Sequence, residues 1–249
     1  MKQKNSEIYY KRNLPHYQPM GYTFFVTFRL AGSLPVDVVK KLKLDREKEL
    51  QIISSIINNK LRTEKYYEYQ KKYFAIFDNL LESCKSSPKW LMDENIAKIT
   101  QEAIHYRDKS EYELIAYTIM PNHVHLVFTP ITIIDHDVIK STRNSVSSYN
   151  AIQFAESQDP ELHNSQNSNS NFIVTKILHE LKKHTALESN IILGRQGTFW
   201  QHESYDHVVR NIAELRRIVN YILKNPVKAG LVIKQEDWKW SYCNPKYLV

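Results

Sequence analysis

The chain has 249 residues, with 34 lysines and arginines against 27 aspartates and glutamates and a formal charge of +7, so it can bury a full core and suits an anionic partner without requiring one. Its two cysteines, Cys84 and Cys243, are far apart and share no motif, which argues against a disulfide framework or a cysteine-based zinc site and for two reduced thiols. The first residues, 1–7, are polar and no stretch approaches the roughly 18 apolar residues of a membrane span, so the expected protein is cytoplasmic and has no membrane partner.

Taken in chain order, residues 22–30 (Tyr-Thr-Phe-Phe-Val-Thr-Phe-Arg-Leu) are dense in β-branched and aromatic side chains and end at Gly32-Ser33-Leu34-Pro35, which predicts a first core strand. From Val36 to about Ser83 the pattern is charged and periodic, predicting helices added to the core. Residues 93–106 place Ile96, Ile99, Ala103 and Ile104 on one side behind Asp93 at the N-cap position, predicting an amphipathic helix. Residues 112–118 and 123–129 are strand-like runs separated by Met120-Pro121-Asn122, so a hairpin is the economical reading.

Residues 131–171 shift to Ser, Asn and Gln, a composition that buries too little apolar surface to order itself and predicts a mobile insertion at about 136–171. Helical spacing resumes at 172–189, with Ile173, Ile177, Leu178 and Leu181 on one side and Lys176, Lys182 and Lys183 elsewhere. The last helix begins at Asn211-Ile212-Ala213-Glu214, an N-cap followed by an acidic residue three positions on. Its expected stop is near Asn225, because Pro226 disfavours helical geometry at the residue before it.

Two patterns within these elements carry chemistry. In a strand, His123, His125 and Val127 share one face while Val124, Leu126 and Phe128 take the other, so both imidazoles can converge on one ion. On the final helix Tyr221 and Asn225 lie one turn apart on a polar stripe beside the apolar side formed by Ile212, Leu215, Val219 and Ile222. Two imidazoles and an amide oxygen would hold a divalent ion with positions left for a phosphate. A phenol near such an ion is a candidate nucleophile, although its ordinary pKa near 10 makes it a weak one unless the phenolate is favoured.

The order of motifs resembles the REP-associated tyrosine transposases, of the single-tyrosine HUH transposase superfamily. The resemblance rests on Ile119-Met120-Pro121-Asn122-His123-Val124-His125-Leu126-Val127, on Gly197-Thr198-Phe199-Trp200-Gln201, and on Tyr221-Ile222-Leu223-Lys224-Asn225-Pro226-Val227-Lys228-Ala229-Gly230. Arg12-Asn13-Leu14-Pro15-His16-Tyr17, Phe25-Val26-Thr27-Phe28-Arg29-Leu30 and Trp238-Lys239-Trp240-Ser241 add to it. It covers most of the chain outside about 36–87 and 136–171, and a single HUH domain with insertions there is the organisation it implies.

The resemblance implies an α+β, ferredoxin-like HUH nuclease fold, a central antiparallel sheet with helices on one face plus the helical and flexible insertions. It implies that His123 and His125 bind Mg2+ or Mn2+, that Asn225 completes the site and that Tyr221 attacks DNA to leave a 5′-phosphotyrosine. The partner would be single-stranded DNA beside a palindromic hairpin, met in the nucleoid by a monomer or homodimer. Arg12, His16, Lys182, Lys183 and Trp200 are the candidate DNA contacts, with Trp200 able to stack on an unpaired base. Ser204-Tyr205-Asp206-His207-Val208-Val209-Arg210 departs from the family's pattern at His207, where arginine is usual.

Other readings stay open at this point. The histidine pair by itself also suits a structural or zinc-binding fragment, and Asn225 also suits a plain helix end. A domesticated hairpin-binding protein without turnover keeps the fold and loses the chemistry. A zinc hydrolase would need a third ligand that no recognisable motif supplies.

Overall fold

Alternation along the strands sets the architecture. The computed structural model describes residues 9–11, 15–17, 21–131 and 173–248, the first two segments as backbone only. The Ser/Asn-rich stretch expected at 136–171 lies outside them, as does Arg12. Strands β1 (Tyr9–Lys11) and β2 (Pro15–Tyr17) pair with each other. The main sheet contains β3 (Thr23–Arg29), β4 (Tyr112–Ile119), β5 (His123–Pro130), β6 (Tyr205–Val209) and β7 (Ser241–Cys243). Its order is β6-β3-β5-β4-β7 and each pairing is antiparallel.

Helix α1 (Val36–Ser54) and helix α2 (Asn59–Ser83) follow β3, and α3 (Glu94–Arg107) leads into β4. Helix α4 (Ile173–Ile192) connects toward β6, and α5 (Ile212–Lys228) lies between β6 and β7. Without α1 and α2, the run β3-α3-β4-β5-α4-β6 is the split βαβ arrangement of a ferredoxin-like unit. The protein is therefore α+β with a five-stranded antiparallel sheet, to which α5 and β7 are appended.

The two helices of that unit share one sheet face. Ile96, Ala97, Ala103 and Ile104 of α3 and Val174, Ile177, Leu178 and Leu181 of α4 pack with Phe24, Val26, Phe28, Val124, Leu126 and Phe128 in one apolar cluster. Asp93 starts α3 as the sequence suggests, its carboxylate accepting from the backbone N–H of Asn95 at 2.9 Å. A second cluster lies on the opposite face. There Phe25, Ala116 and Val127 of the sheet meet Leu215, Val219 and Ile222 of α5 and Tyr73 of α2. Between Leu114 and Ala116 a bulge in β4 shifts the register against β5, so Ala116 comes opposite Val127.

The last helix runs further than expected. It passes through Pro226 to Lys228 before Gly230, at φ 68°, ends it. Asn225 and Pro226 are both buried there, and their packing outweighs the local preference before proline, which is a bias and not a prohibition. Strands β3, β4 and β5 and the other helices begin and end within a few residues of expectation, a usual uncertainty for element ends, whereas β1, β2, β6 and β7 were not expected. Among the described residues no helix is long and apolar enough to cross a membrane.

Candidate metal and tyrosine site

Strand β5 delivers both histidines to the face covered by α5 and α2. His125 sits across from Thr27 of β3 and Thr118 of β4, while His123 sits across from Arg29. The two rings are 4.6 Å apart between centroids, and their Nε2 atoms lie 3.1 Å from each other. Donors held about 2.1 Å from one octahedral ion at right angles would be about 3.0 Å apart, so this spacing suits shared coordination.

The protonation of His123 follows from its neighbour. Asn122 donates through Nδ2 to the carbonyl oxygen of Leu81 at 2.9 Å and to Ser87 Oγ at 2.8 Å, which fixes its amide orientation. Its Oδ1, an acceptor only, lies 2.6 Å from His123 Nδ1, so that nitrogen donates and Nε2 keeps its lone pair for the site. Burial, then the neighbouring His125, push the His123 pKa down to about 3 and keep the ring neutral. His125 Nδ1 pairs with Thr27 Oγ1 at 2.7 Å, a contact that orients the second ring in the same way.

Helix α5 brings Tyr221 and Asn225 to these rings. The Tyr221 ring is 6.0 Å from that of His125, and Asn225 Nδ2 is 3.0 Å from His125 Nε2. Asn225 is fully buried and its Oδ1 has no hydrogen-bond partner. A half-turn of that amide would bring its oxygen to the imidazoles. With its oxygen so turned, Asn225 would offer a donor atom beside the two imidazoles, and a cation there would satisfy it.

The structure adds a residue that the sequence reading did not select. Asp78 of α2 accepts a hydrogen bond from the Tyr221 hydroxyl through Oδ2. Its Oδ1 lies 3.2 Å from His125 Nε2 and 3.8 Å from His123 Nε2, yet completes no hydrogen bond. Asp78, His123 and His125 are each at most 1% exposed and together form a set able to hold a metal ion. Two imidazoles, a carboxylate and an amide oxygen suit a divalent cation as a donor set.

The electrostatics are matched. Burial opposes ionisation of Asp78, but His125, His123 and the Tyr221 hydroxyl outweigh it and hold the carboxyl well below its usual range. Burial, then the Asp78 charge, push the Tyr221 phenol well above its ordinary value. With the site as it stands, Tyr221 is therefore a neutral hydrogen-bond donor.

A signal for Asp78 was present. On α2, Phe74, Asp78 and Leu81 fall at i, i+4 and i+7, so an aspartate interrupts the stripe that meets the sheet. Asn122 was read only as a turn residue, and Thr27 only as part of a strand; their roles depend on register across strands and could not be seen locally.

The candidate DNA contacts are dispersed. Trp200 is 4% exposed on the α3/α4 side and donates its indole N–H to Thr185 Oγ1 at 2.8 Å, so its ring packs in the core and presents no face to a base. Lys182 donates to the His202 carbonyl at 3.0 Å and to Ser204 Oγ at 3.1 Å. Lys183 is exposed on a groove between α3 and α4. His16 is in β2 opposite Tyr10, where only its backbone is described. Trp238 donates to the Ile119 carbonyl at 3.1 Å. His207 pairs with Glu214 at 3.1 Å and stacks on Tyr67 of α2, a use for histidine at that position that needs no DNA.

No family model matches the chain. It is 43% identical over 42 residues to a "REP-associated tyrosine transposase" of Escherichia coli K12, covering 17% of this chain and 26% of that protein. It is 24% identical over 131 residues to a "Putative REP-associated tyrosine transposase" of Haemophilus influenzae, covering 52% of this chain and 58% of that protein. The chain thus spans less than two thirds of either curated relative. A solved structure titled "Structure of the REP associates tyrosine transposase bound to a REP hairpin" aligns at TM-score 0.41 and 18% identity, covering 93% of this chain and 80% of that one.

Proposed function

We propose, from the premise of this chain's similarity to REP-associated tyrosine transposases, that it is a metal-dependent single-stranded DNA endonuclease and strand transferase acting beside a palindromic hairpin. The observation that carries the reading is convergence. Tyr221 and Asn225 of α5 reach the same buried volume as His123 and His125 of β5, about a hundred residues earlier. In this reading His123, His125 and Asn225 hold Mg2+ or Mn2+, and the ion, when bound, supplies positive charge to the non-bridging oxygens of the scissile phosphate.

The Tyr221 oxygen forms a bond to phosphorus while the bond from phosphorus to the 3′ oxygen breaks. The phenolic proton leaves Tyr221 and the released strand gains one as a free 3′-hydroxyl. The product is a 5′-phosphotyrosine, and attack on it by a 3′-hydroxyl in the reverse sense rejoins DNA and frees the phenol. The net charge of +7 favours the approach of DNA. Lys183, exposed, is retained as a candidate phosphate contact, and Lys182, Arg12 and His16 are likewise retained as candidates.

The test is covalent capture. A single-stranded oligonucleotide carrying a hairpin and incubated with manganese should become attached to the protein, with peptide mapping locating the adduct on Tyr221. Tyr221→Phe should abolish it, and attachment persisting in that variant removes Tyr221 from the role. A second reading, a hairpin-binding protein without turnover, is favoured by one observation: both histidines, Asp78 and Asn225 are each at most 1% exposed beneath α2 and α5. Tight hairpin binding with no adduct under any divalent metal would select it.

A further inference from the structure

We propose that Asp78 is a positioning residue for the tyrosine, so that helix α2, and not α5 alone, determines where the nucleophile stands relative to the metal ligands. The inference rests on the reading of Tyr221 as nucleophile given above. It starts from the two oxygens of one carboxylate. Oδ2 takes the Tyr221 hydroxyl hydrogen, and Oδ1 faces His125 Nε2 at 3.2 Å and His123 Nε2 at 3.8 Å. A single rigid group thereby spans the nucleophile and the imidazole pair.

The alternative, an incidental packing contact, fits the surroundings poorly. A carboxylate that is 1% exposed needs compensation for lost hydration, and among the described residues no lysine or arginine is paired with it. Its compensation comes from His125 and the Tyr221 hydroxyl, both in the candidate site itself. Oδ1 faces the two ring nitrogens at 3.2 Å and 3.8 Å without the alignment of a full hydrogen bond to either, a position open to a ligand atom.

Helix α2 is held so that this contact is reproducible. Near its start Tyr67 donates to Glu214 of α5, and near its end Asn122 donates to the Leu81 carbonyl at 2.9 Å. Lys228 of α5 pairs with Glu82 at 3.0 Å, one turn beyond Asp78. The Phe74 ring, one turn before it, packs edge-on against Tyr221 at 5.7 Å. The tyrosine ring is thus confined by α2 on its face and at its hydroxyl, leaving few of its rotamers available.

The test combines a readout without DNA and one with it, on the full chain, comparing wild type with Asp78→Asn, Asp78→Ala and Asp78→Glu. Manganese titration followed by electron paramagnetic resonance should show at least about a tenfold weaker ion in the Asn and Ala variants. With 3-fluorotyrosine at position 221, the fluorine resonance of the DNA-free protein should move in the Ala variant by more than its linewidth. At saturating manganese the Ala variant should form adduct about a hundredfold more slowly, and Asp78→Glu should recover a measurable part of the rate.

Wild-type adduct rates at saturating manganese in Asp78→Ala, or faster ones, overturn the proposal, as does an unmoved fluorine resonance together with unchanged manganese affinity. If the wild type makes no adduct at all, the strand-transferase reading fails, and the manganese titration and fluorine spectrum still decide the role of Asp78. Should Asp78→Ala fold poorly, the near-isosteric Asp78→Asn decides in the same assays.

Discussion

The two faces of the main sheet have been put to different uses by a single strand. From β5, Val124, Leu126 and Phe128 enter the core beneath α3 and α4, whereas His123 and His125 enter the space beneath α5 and α2. Burial is nearly complete on both sides, at most 1% exposure for all five of these residues. The first face is lined mostly by apolar side chains, with a few buried polar groups such as Trp200 Nε1 and Thr185 Oγ1 bonded to each other. The second contains imidazoles, a carboxylate and an amide, with two of its acceptors, Asp78 Oδ1 and Asn225 Oδ1, unsatisfied. Buried polar atoms without partners lower stability, and on the second face two of them belong to residues gathered around one imidazole pair.

This contrast can be broken or sharpened by substitution. The largest effect should come from His125→Ala, which is expected to eliminate manganese binding and DNA attachment while cooperative thermal unfolding persists. Retention of both activities would mean that the second face has been misread. On the other face Phe128→Ala should cost about 3–5 kcal/mol of stability, measured by chemical denaturation, with the manganese affinity of the folded fraction unchanged. A matching loss of metal affinity would show that the faces are not independent.

Glu214 links α5 to α2 and β6 at the edge of the second face. It is 4% exposed and accepts from Tyr67, from His207 Nε2 at 3.1 Å and from the Arg210 backbone N–H at 2.9 Å. Burial pushes its pKa up, but His207, Tyr67 and the Arg210 N–H more than reverse this and bring it down to about 2. Because the folded value lies below the unfolded one, the stabilisation is fully present above the ordinary carboxyl value of 4.5 and is lost as pH falls toward 2. Wild type should therefore exceed Glu214→Gln by on the order of 2–3 kcal/mol at neutral pH, with a gap that narrows between pH 5 and pH 2 in thermal melts (roughly the span set by that linkage). A gap independent of pH would assign the effect to packing.

The smallest effect expected is at Asn122, which fixes the His123 tautomer without touching the ion. Asn122→Ala should weaken manganese by about tenfold, read by the same resonance titration. Unchanged affinity would mean that the ring holds its orientation without that amide.

Legibility from sequence followed the same division. Strands β3, β4 and β5, the hairpin and the amphipathic helices could be read because β-branched runs, alternation and capping residues act over a few positions, as Asp93 and Asn211 do, whereas the short strands β1, β2, β6 and β7 were missed. The histidine pair and the Tyr221–Asn225 spacing were legible for the same reason, each lying within one element. Asp78 was legible only as an aspartate interrupting an apolar stripe, because nothing near it in the chain says that α2 crosses the histidine-bearing face. Trp200 was assigned to DNA from its residue type, and only its position against Thr185 and Phe28 shows that it belongs to the core. The end of α5 was misplaced because the bias before Pro226 is local, while the burial of Asn225 is a property of the whole fold.

The most direct test of the metal-site assignment is an anomalous difference map from crystals of the full chain soaked in manganese. The account predicts one strong peak bonded to Nε2 of His123 and His125, with Asn225 Oδ1 and Asp78 Oδ1 turned to it and the Tyr221 hydroxyl alongside. No peak there at saturating manganese, or one bound elsewhere while these side chains keep their hydrogen bonds to one another, would contradict it.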